Sequence, residues 1–311
     1  MLTKAFIENI GNNIIGSKNL EEALEKGGLN WTAKSAPVEY HGDSEAVLFA
    51  PNHKVVYKDS DQSVLGVVGK NYGIIQNTEA FAIADALLGS KVEFQRAGQV
   101  LGQTFIVMKG EKTYLLNEEV DNYIVIRNSF DRSSTLQISW VPVLNTASGS
   151  TFLGTNYSRV FALKHSATWI KKYGETFVES LISDGNQALQ AYAQAMLNIK
   201  YSAPQLTKVL DQFFPLKFDK DGNPRDKANE AVLEKRKQFA DILKGQDLAQ
   251  YQGTAYQVYR AIQELETNSF QSVKTRVPTR GEYKKVKHLF TNKTMAPAAV
   301  QYLEKVIAGR A

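Results

Sequence analysis

No cysteine occurs anywhere in the 311 residues, which removes disulfides, thiol nucleophiles, iron–sulfur clusters and thiolate zinc sites together. Histidine is scarce: His41, His53, His165 and His288 are widely scattered, and none has a partner at HxxxH or HExxH spacing, so no motif speaks for a zinc enzyme and none is expected. No stretch approaches the roughly 18 apolar residues of a membrane span, and the N-terminus lacks the apolar core of a signal peptide. A cytoplasmic protein is the expectation, in a host cell's cytoplasm if the gene is phage-borne. The GVVGK run at residues 66–70 lacks phosphate-loop spacing, and the ASGST run at residues 147–151 is no nucleophile elbow. No internal repeat and no low-complexity segment is present.

What is there is an ordinary globular composition, 43% hydrophobic and 22% charged, on a chain long enough for one large domain or two ordinary ones. The formal charge of +5 becomes informative once located. Residues 274–293 hold seven cations (Lys274, Arg276, Arg280, Lys284, Lys285, Lys287, Lys293) against Glu282 alone, leaving 30 basic and 31 acidic residues elsewhere. The whole positive excess therefore sits in one short stretch, and clustering of this kind attracts phosphates or acidic partners.

Helical spacing at residues 20–26 ends at Gly27 and Gly28, a C-terminal glycine signal. Residues 46–50, 54–57 and 64–68 read as short antiparallel strands. Thr78 reads as the N-cap of a helix over residues 79–88. Residues 92–98 with 103–108, and 123–126 with 135–141, read as two hairpins of one sheet. Beyond Ser166 the pattern turns helical, through residue 200 with an interruption expected at Asp184 and Gly185, then over residues 203–214, 226–243 and 251–266. Strands first and helices afterwards give the α+β class, an antiparallel strand-rich N-terminal half packed against a helical C-terminal half. The expected division is a leading helical segment (residues 1–36), an α+β domain (37–272, strand-rich to about 165) and a basic segment with a terminal helix (273–311).

The DKDGNPRDKANE run at residues 219–230 places oxygen side chains as a calcium loop would, but Pro224 stands where that loop needs glycine. The run reads instead as a helix start, with Asn223 as cap and Pro224 and Asp226 in the first turn. No metal and no cofactor is expected. Glu79, Asp131 and Asp184 are the carboxylates available for acid–base work, and His165 reads as a capping or packing residue.

The LGVVGKNYGIIQNTEAF run at residues 65–81 resembles the signature of the phage/plasmid-like protein family, a large domain of unknown function (number 932). The NSFDRSSTL run at residues 128–136, Pro142 with Val143, Asn145 with Thr146, residues 161–165 and residues 253–262 support the likeness. Many relatives carry cysteine where this chain has Leu144, so the resemblance does not imply thiol chemistry. It implies a phage, plasmid or mobile-element setting and supplies no active site. Tyr72, Gln76, Asn77, Asn128, Asp131 and Asn145 match it, and Asn or Asp beside Ser or Gly commonly builds turns and caps.

The leading expectation is a nucleic-acid-binding protein of recombination or replication, with single-stranded DNA annealing as the sharper form. Arg132, Arg159, Lys164, Lys171 and Lys172 would line a basic groove, Lys274, Arg276, Arg280, Lys284, Lys285 and Lys287 would reinforce it, and Tyr157, Trp169 and Tyr283 would stack on bases. The alternative is a non-enzymatic regulator that binds a host protein. An enzyme built on Asn128, Asp131 and His165 has no motif behind it. Self-association stays open; a membrane partner is not expected.

Overall fold

A computed structural model describes residues 7, 10–43, 46–88, 92–146, 149–153, 161–163, 167–271 and 294–311, with backbone alone for 161–163, 167–175, 177, 178, 270 and 271. The elements are β1 (Asn12–Asn13), α1 (Leu20–Gly27), β2 (Ala33–His41), β3 (Val47–Lys58), β4 (Val64–Gly69), α2 (Asn77–Ala80), α3 (Ala82–Leu87), β5 (Glu93–Val100), β6 (Gln103–Lys109), β7 (Thr113–Leu115), β8 (Glu118–Ser129), β9 (Leu136–Thr146), β10 (Gly149–Phe152) and β11 (Phe161–Leu163). They continue with α4 (Ala167–Asn198), α5 (Ala203–Phe213), α6 (Asp226–Leu243), α7 (Gln246–Ala249), α8 (Ala255–Gln271) and α9 (Ala296–Ile307). The class is α+β, with the strand-rich part first and the long helices after it.

The main sheet is antiparallel in the order β1-β5-β6-β8-β9-β10. The long strands β8 and β9 form its spine, because β7 follows β6 along one side of β8 and β11 pairs with β9 beyond β10. Alternation along these strands sorts side chains between two buried faces. Ile106, Ile124, Ile126, Ile138 and Trp140 join the core shared with the helices. Phe105, Val107, Tyr123, Val125, Val141 and Val143 fill the opposite face together with Ile7 and Ile10. Runs such as residues 120–130 are therefore buried without a break, as strands covered on both sides are.

Several expectations need correction. The strands expected at residues 46–50 and 54–57 are one, β3, and the helix expected from residue 251 starts at Ala255. Helix α4 runs through Asp184 and Gly185 without interruption. The glycine is there for packing: a Cβ at Gly185 would lie 2.5 Å from Cε3 of Trp140, so the helix approaches the indole face as only glycine permits. The helix near residue 79 is capped by Gln76 and not Thr78, in a reciprocal box with Glu79, and it divides at Phe81 into α2 and α3. The cap of α6 is Arg225 and not Asn223. Asn223 instead gives its N–H to the Asp219 carboxylate at 2.8 Å, as Asp221 does at 2.9 Å. These bonds hold the Asp219 carboxyl below its ordinary pKa and commit it to its own turn.

A smaller antiparallel sheet, β2-β3-β4, adjoins the main one. Strand β2 escaped the sequence reading because most of its side chains are exposed and it contains Pro37, which argues against a strand from sequence and here sits on an edge strand next to a register shift. The expected α1 forms and ends at Gly28, whose φ of 67° is the left-handed conformation glycine adopts freely. Among the described residues, no helix is long and apolar enough to cross a membrane.

Candidate functional site

The signature residues converge where the small sheet meets the β8–β9 hairpin. The Tyr72 hydroxyl donates to the Ser129 carbonyl at 2.7 Å. The Gln76 amide pairs with the backbone of Ala33 as a strand would, accepting from its N–H at 2.9 Å and donating to its carbonyl at 3.0 Å. Buried Asn77 donates to the Leu29 carbonyl at 2.9 Å and accepts from the Thr104 hydroxyl at 3.0 Å. Buried Asn128 donates to the Ile75 carbonyl at 3.0 Å. Two glycines let the strands close in. A Cβ at Gly66 would come within 2.7 Å of Asp131, and one at Gly102 within 2.4 Å of the Leu65 carbonyl. These residues satisfy buried backbone groups that an irregular segment would otherwise leave unpaired.

Asp131 accepts from the N–H of Ser133 at 2.9 Å and from its hydroxyl, and this short turn sets Arg132 between them at φ 63°, exposed to solvent. Arg132 is the one expected groove cation whose side chain is described, and it stands on a loop anchored by Tyr72, Ser129 and Asp131. Lys171, Lys172 and Trp169 lie on α4, described there by backbone alone. Arg159, Lys164, Tyr157, Lys274, Arg276, Arg280, Tyr283, Lys284, Lys285 and Lys287 lie outside the described residues, as does His165. Beside the Arg132 loop a shallow cleft of about 620 Å³ is lined by Asn12, Gly28, Lys58, Leu101 and Asp131, among others.

Three further polar groupings carry no sequence signal, because each joins residues distant in the chain. Lys109 lies 3.0 Å from Asp121, Asn145 donates to Asp121 at 2.9 Å, and Ser150 donates to Asn145 at 3.0 Å, a ladder across β6, β8, β9 and β10. Lys109 also sits 5.5 Å from the Tyr123 ring centre. Arg260 on α8, almost fully buried, reaches Glu118 at the start of β8 at 2.6 Å, and Tyr251 donates to the same carboxylate at 3.0 Å. Burial, then the charge of Glu118, pushes the Tyr251 hydroxyl well above its ordinary pKa. Finally, the Glu266 carboxylate on α8 accepts from the N–H of Met295, its two oxygens at 3.0 and 3.1 Å. That bond fastens the end of α8 to the start of α9, the two points between which the basic stretch runs.

Chemically, most of these groups are already engaged. Asn128 and Asp131 are committed to backbone and turn, and Glu79 accepts from the Gln76 N–H at 3.2 Å. Among the described residues no group of three or more His, Asp or Glu is placed to hold a metal ion.

The family model described as a domain of unknown function, DUF932, matches residues 64–290. The chain belongs to this family. No curated protein and no solved structure matches it. The DUF932 match begins at β4 and takes in the main sheet from β5 onward and helices α4 to α8, so the Gly66, Tyr72 and Asn128 contacts and the Asn77–Thr104 bond lie within it, while Ala33 and Leu29, the partners of Gln76 and Asn77, precede it.

Proposed function

We propose that the protein binds nucleic acid, with single-stranded DNA as its preferred form, in the recombination or replication of a phage or other mobile element. The observation that carries this reading is the confinement of the entire positive excess to residues 274–293. Its support is the fastening of Glu266 to Met295, which brings the two described ends of that stretch to one place on the helical half. Clustered cations attract backbone phosphates, and the tyrosine and phenylalanine of the same sequence stretch suit unstacked bases. Exposed Arg132 adds a cation on a rigid loop. The phage or mobile-element setting rests on the likeness of the 65–81 signature.

The test is binding of a labelled single-stranded oligonucleotide, a duplex and an acidic polypeptide across a salt series. Single-strand affinity should fall steeply with salt through counterion release. Replacing Lys284, Lys285 and Lys287 together by alanine should lower the slope of log affinity against log salt by about 0.7 for each phosphate no longer neutralised, up to about 2 in total. A folded variant with unchanged slope and affinity would refute the reading. A flat salt response with preference for the acidic polypeptide would replace it by a regulator that binds a host protein.

A further inference from the structure

The small sheet turns an apolar face outward. Register pairs Lys34 with Tyr57 and Tyr57 with Val64, and likewise Ala36 with Val55 and Val55 with Val67. The register shift beyond Pro37 puts its extra residues on β3, where Lys54 and Phe49 face Pro37 and Glu39, so β2 keeps its alternation and carries the same face outward through Val38 to Tyr40, whose partner is Leu48. On this one face Tyr40 is 50% exposed, Leu48 41%, Val64 65% and Val67 57%. Val55 and Tyr57 between them are only half-buried. Beyond His53, where β4 stops pairing, β2 and β3 continue as a two-stranded arm that ends at Gly42 and Asp43.

We propose that this face packs against the same face of a second copy, the two arms running in opposite directions about a twofold axis. Three observations favour a second copy over a foreign partner. The patch is a β-branched and aromatic sheet face, of the kind that stacks on another such face at sandwich spacing. Its exposed apolar surface is roughly 500 Å² by ordinary side-chain areas, so a twofold pairing buries about 1,000 Å², the size at which specific contacts begin. Charge is arranged for opposite directions: the face's one cation, Lys34, lies at the base of the arm and Asp43 at its tip, and neither has an ion-pair partner among the described residues. Reversing one arm over the other sets each Asp43 beside the other copy's Lys34. Edge-to-edge addition is disfavoured by Pro37 and by the bulge beside it. The inference stands on β2, β3 and β4 alone and is independent of nucleic-acid binding.

The experiment is sedimentation velocity up to about 100 μM, where a contact of this size is populated. The wild-type protein should be dimeric, and Tyr40→Asp with Val67→Asp should be monomeric with an unchanged circular dichroism spectrum. Lys34→Asp alone and Asp43→Lys alone should each weaken the dimer at least tenfold, because each places like charges together twice. Mixing these two variants should restore it, since one copy then carries only acids at the two positions and the other only lysines, so opposite charges meet at both contacts of the mixed dimer. A monomeric wild type overturns the proposal, and so does a dimer that ignores the face variants. Failure of the mixture to recover, with both variants folded, overturns the antiparallel arrangement.

Discussion

Replacing Gly185 by alanine separates the two readings of that residue, helix break or packing requirement. In an exposed helix interior the change should stabilise by about 1 kcal/mol, because alanine has the better helix propensity. Here the new Cβ would lie 2.5 Å from Cε3 and 2.6 Å from Cζ3 of Trp140, more than 1 Å inside ordinary contact. The indole cannot swing aside cheaply: it is fully buried, and its N–H donates to Asn122 at 2.9 Å. Asn122 is held in turn by the Glu111 carbonyl at 2.7 Å and the Thr113 hydroxyl at 3.0 Å. Forcing α4 outward costs about 1–3 kcal/mol of overpacking, so Gly185→Ala should lose about 1 kcal/mol net, read as a lower midpoint in urea with unchanged slope. In a Trp140→Phe background, where the benzo ring is gone, the same change should be neutral or stabilising. A wild-type protein stabilised by Gly185→Ala, or a cycle with no coupling between the two sites, would refute the reasoning.

Burial, opposed by the Met295 N–H and by the charge of Lys235, raises the Glu266 carboxyl to about 7 from an ordinary 4.5. An acid raised in the fold binds more protons folded than unfolded, so its contribution is full below about pH 4.5 and is lost as pH rises through about 7. Thermal midpoints should fall between about pH 5 and about pH 8 by the equivalent of at most about 3 kcal/mol, and Glu266→Gln should flatten that part of the profile. Asn77→Ala strands the Leu29 carbonyl and the Thr104 hydroxyl in the core, so it should cost about 2–4 kcal/mol in denaturant titration. Its salt slope for nucleic acid should stay unchanged; a changed slope with unchanged stability would make Asn77 a binding residue.

The hairpins β5–β6 and β8–β9 were legible because apolar strands flank glycine-, asparagine- or serine-bearing turns, and α1 because its glycine stop is local chemistry. Where the decisive partner is distant, the sequence misled. Asp184 and Gly185 look like a helix stop until Trp140 is placed against them, and Thr78 looks like a cap until the Gln76 amide is seen pairing with Ala33. Strand β2 lacked the alternation of a half-buried strand because neither of its faces is buried beyond Ala33. Asp131 makes the local turn that its residue type suggested, through Ser133; Tyr72, Asn77 and Asn128 instead reach backbone groups 57, 48 and 53 positions away, beyond any local pattern. The Glu118–Arg260 pair joins residues 142 positions apart, and no local pattern could have announced it.

The clasp between Glu266 and Met295 also ties the family's helical part to a helix that lies after it. Glu266 falls inside the matched residues 64–290 and α9 follows them, yet Ala296, Ala299, Val300 and Leu303 enter the same buried core as Ile124, Ile138 and Trp140. Ending the chain before Thr294 would therefore uncover part of that core and leave the buried Glu266 carboxyl without its N–H donor.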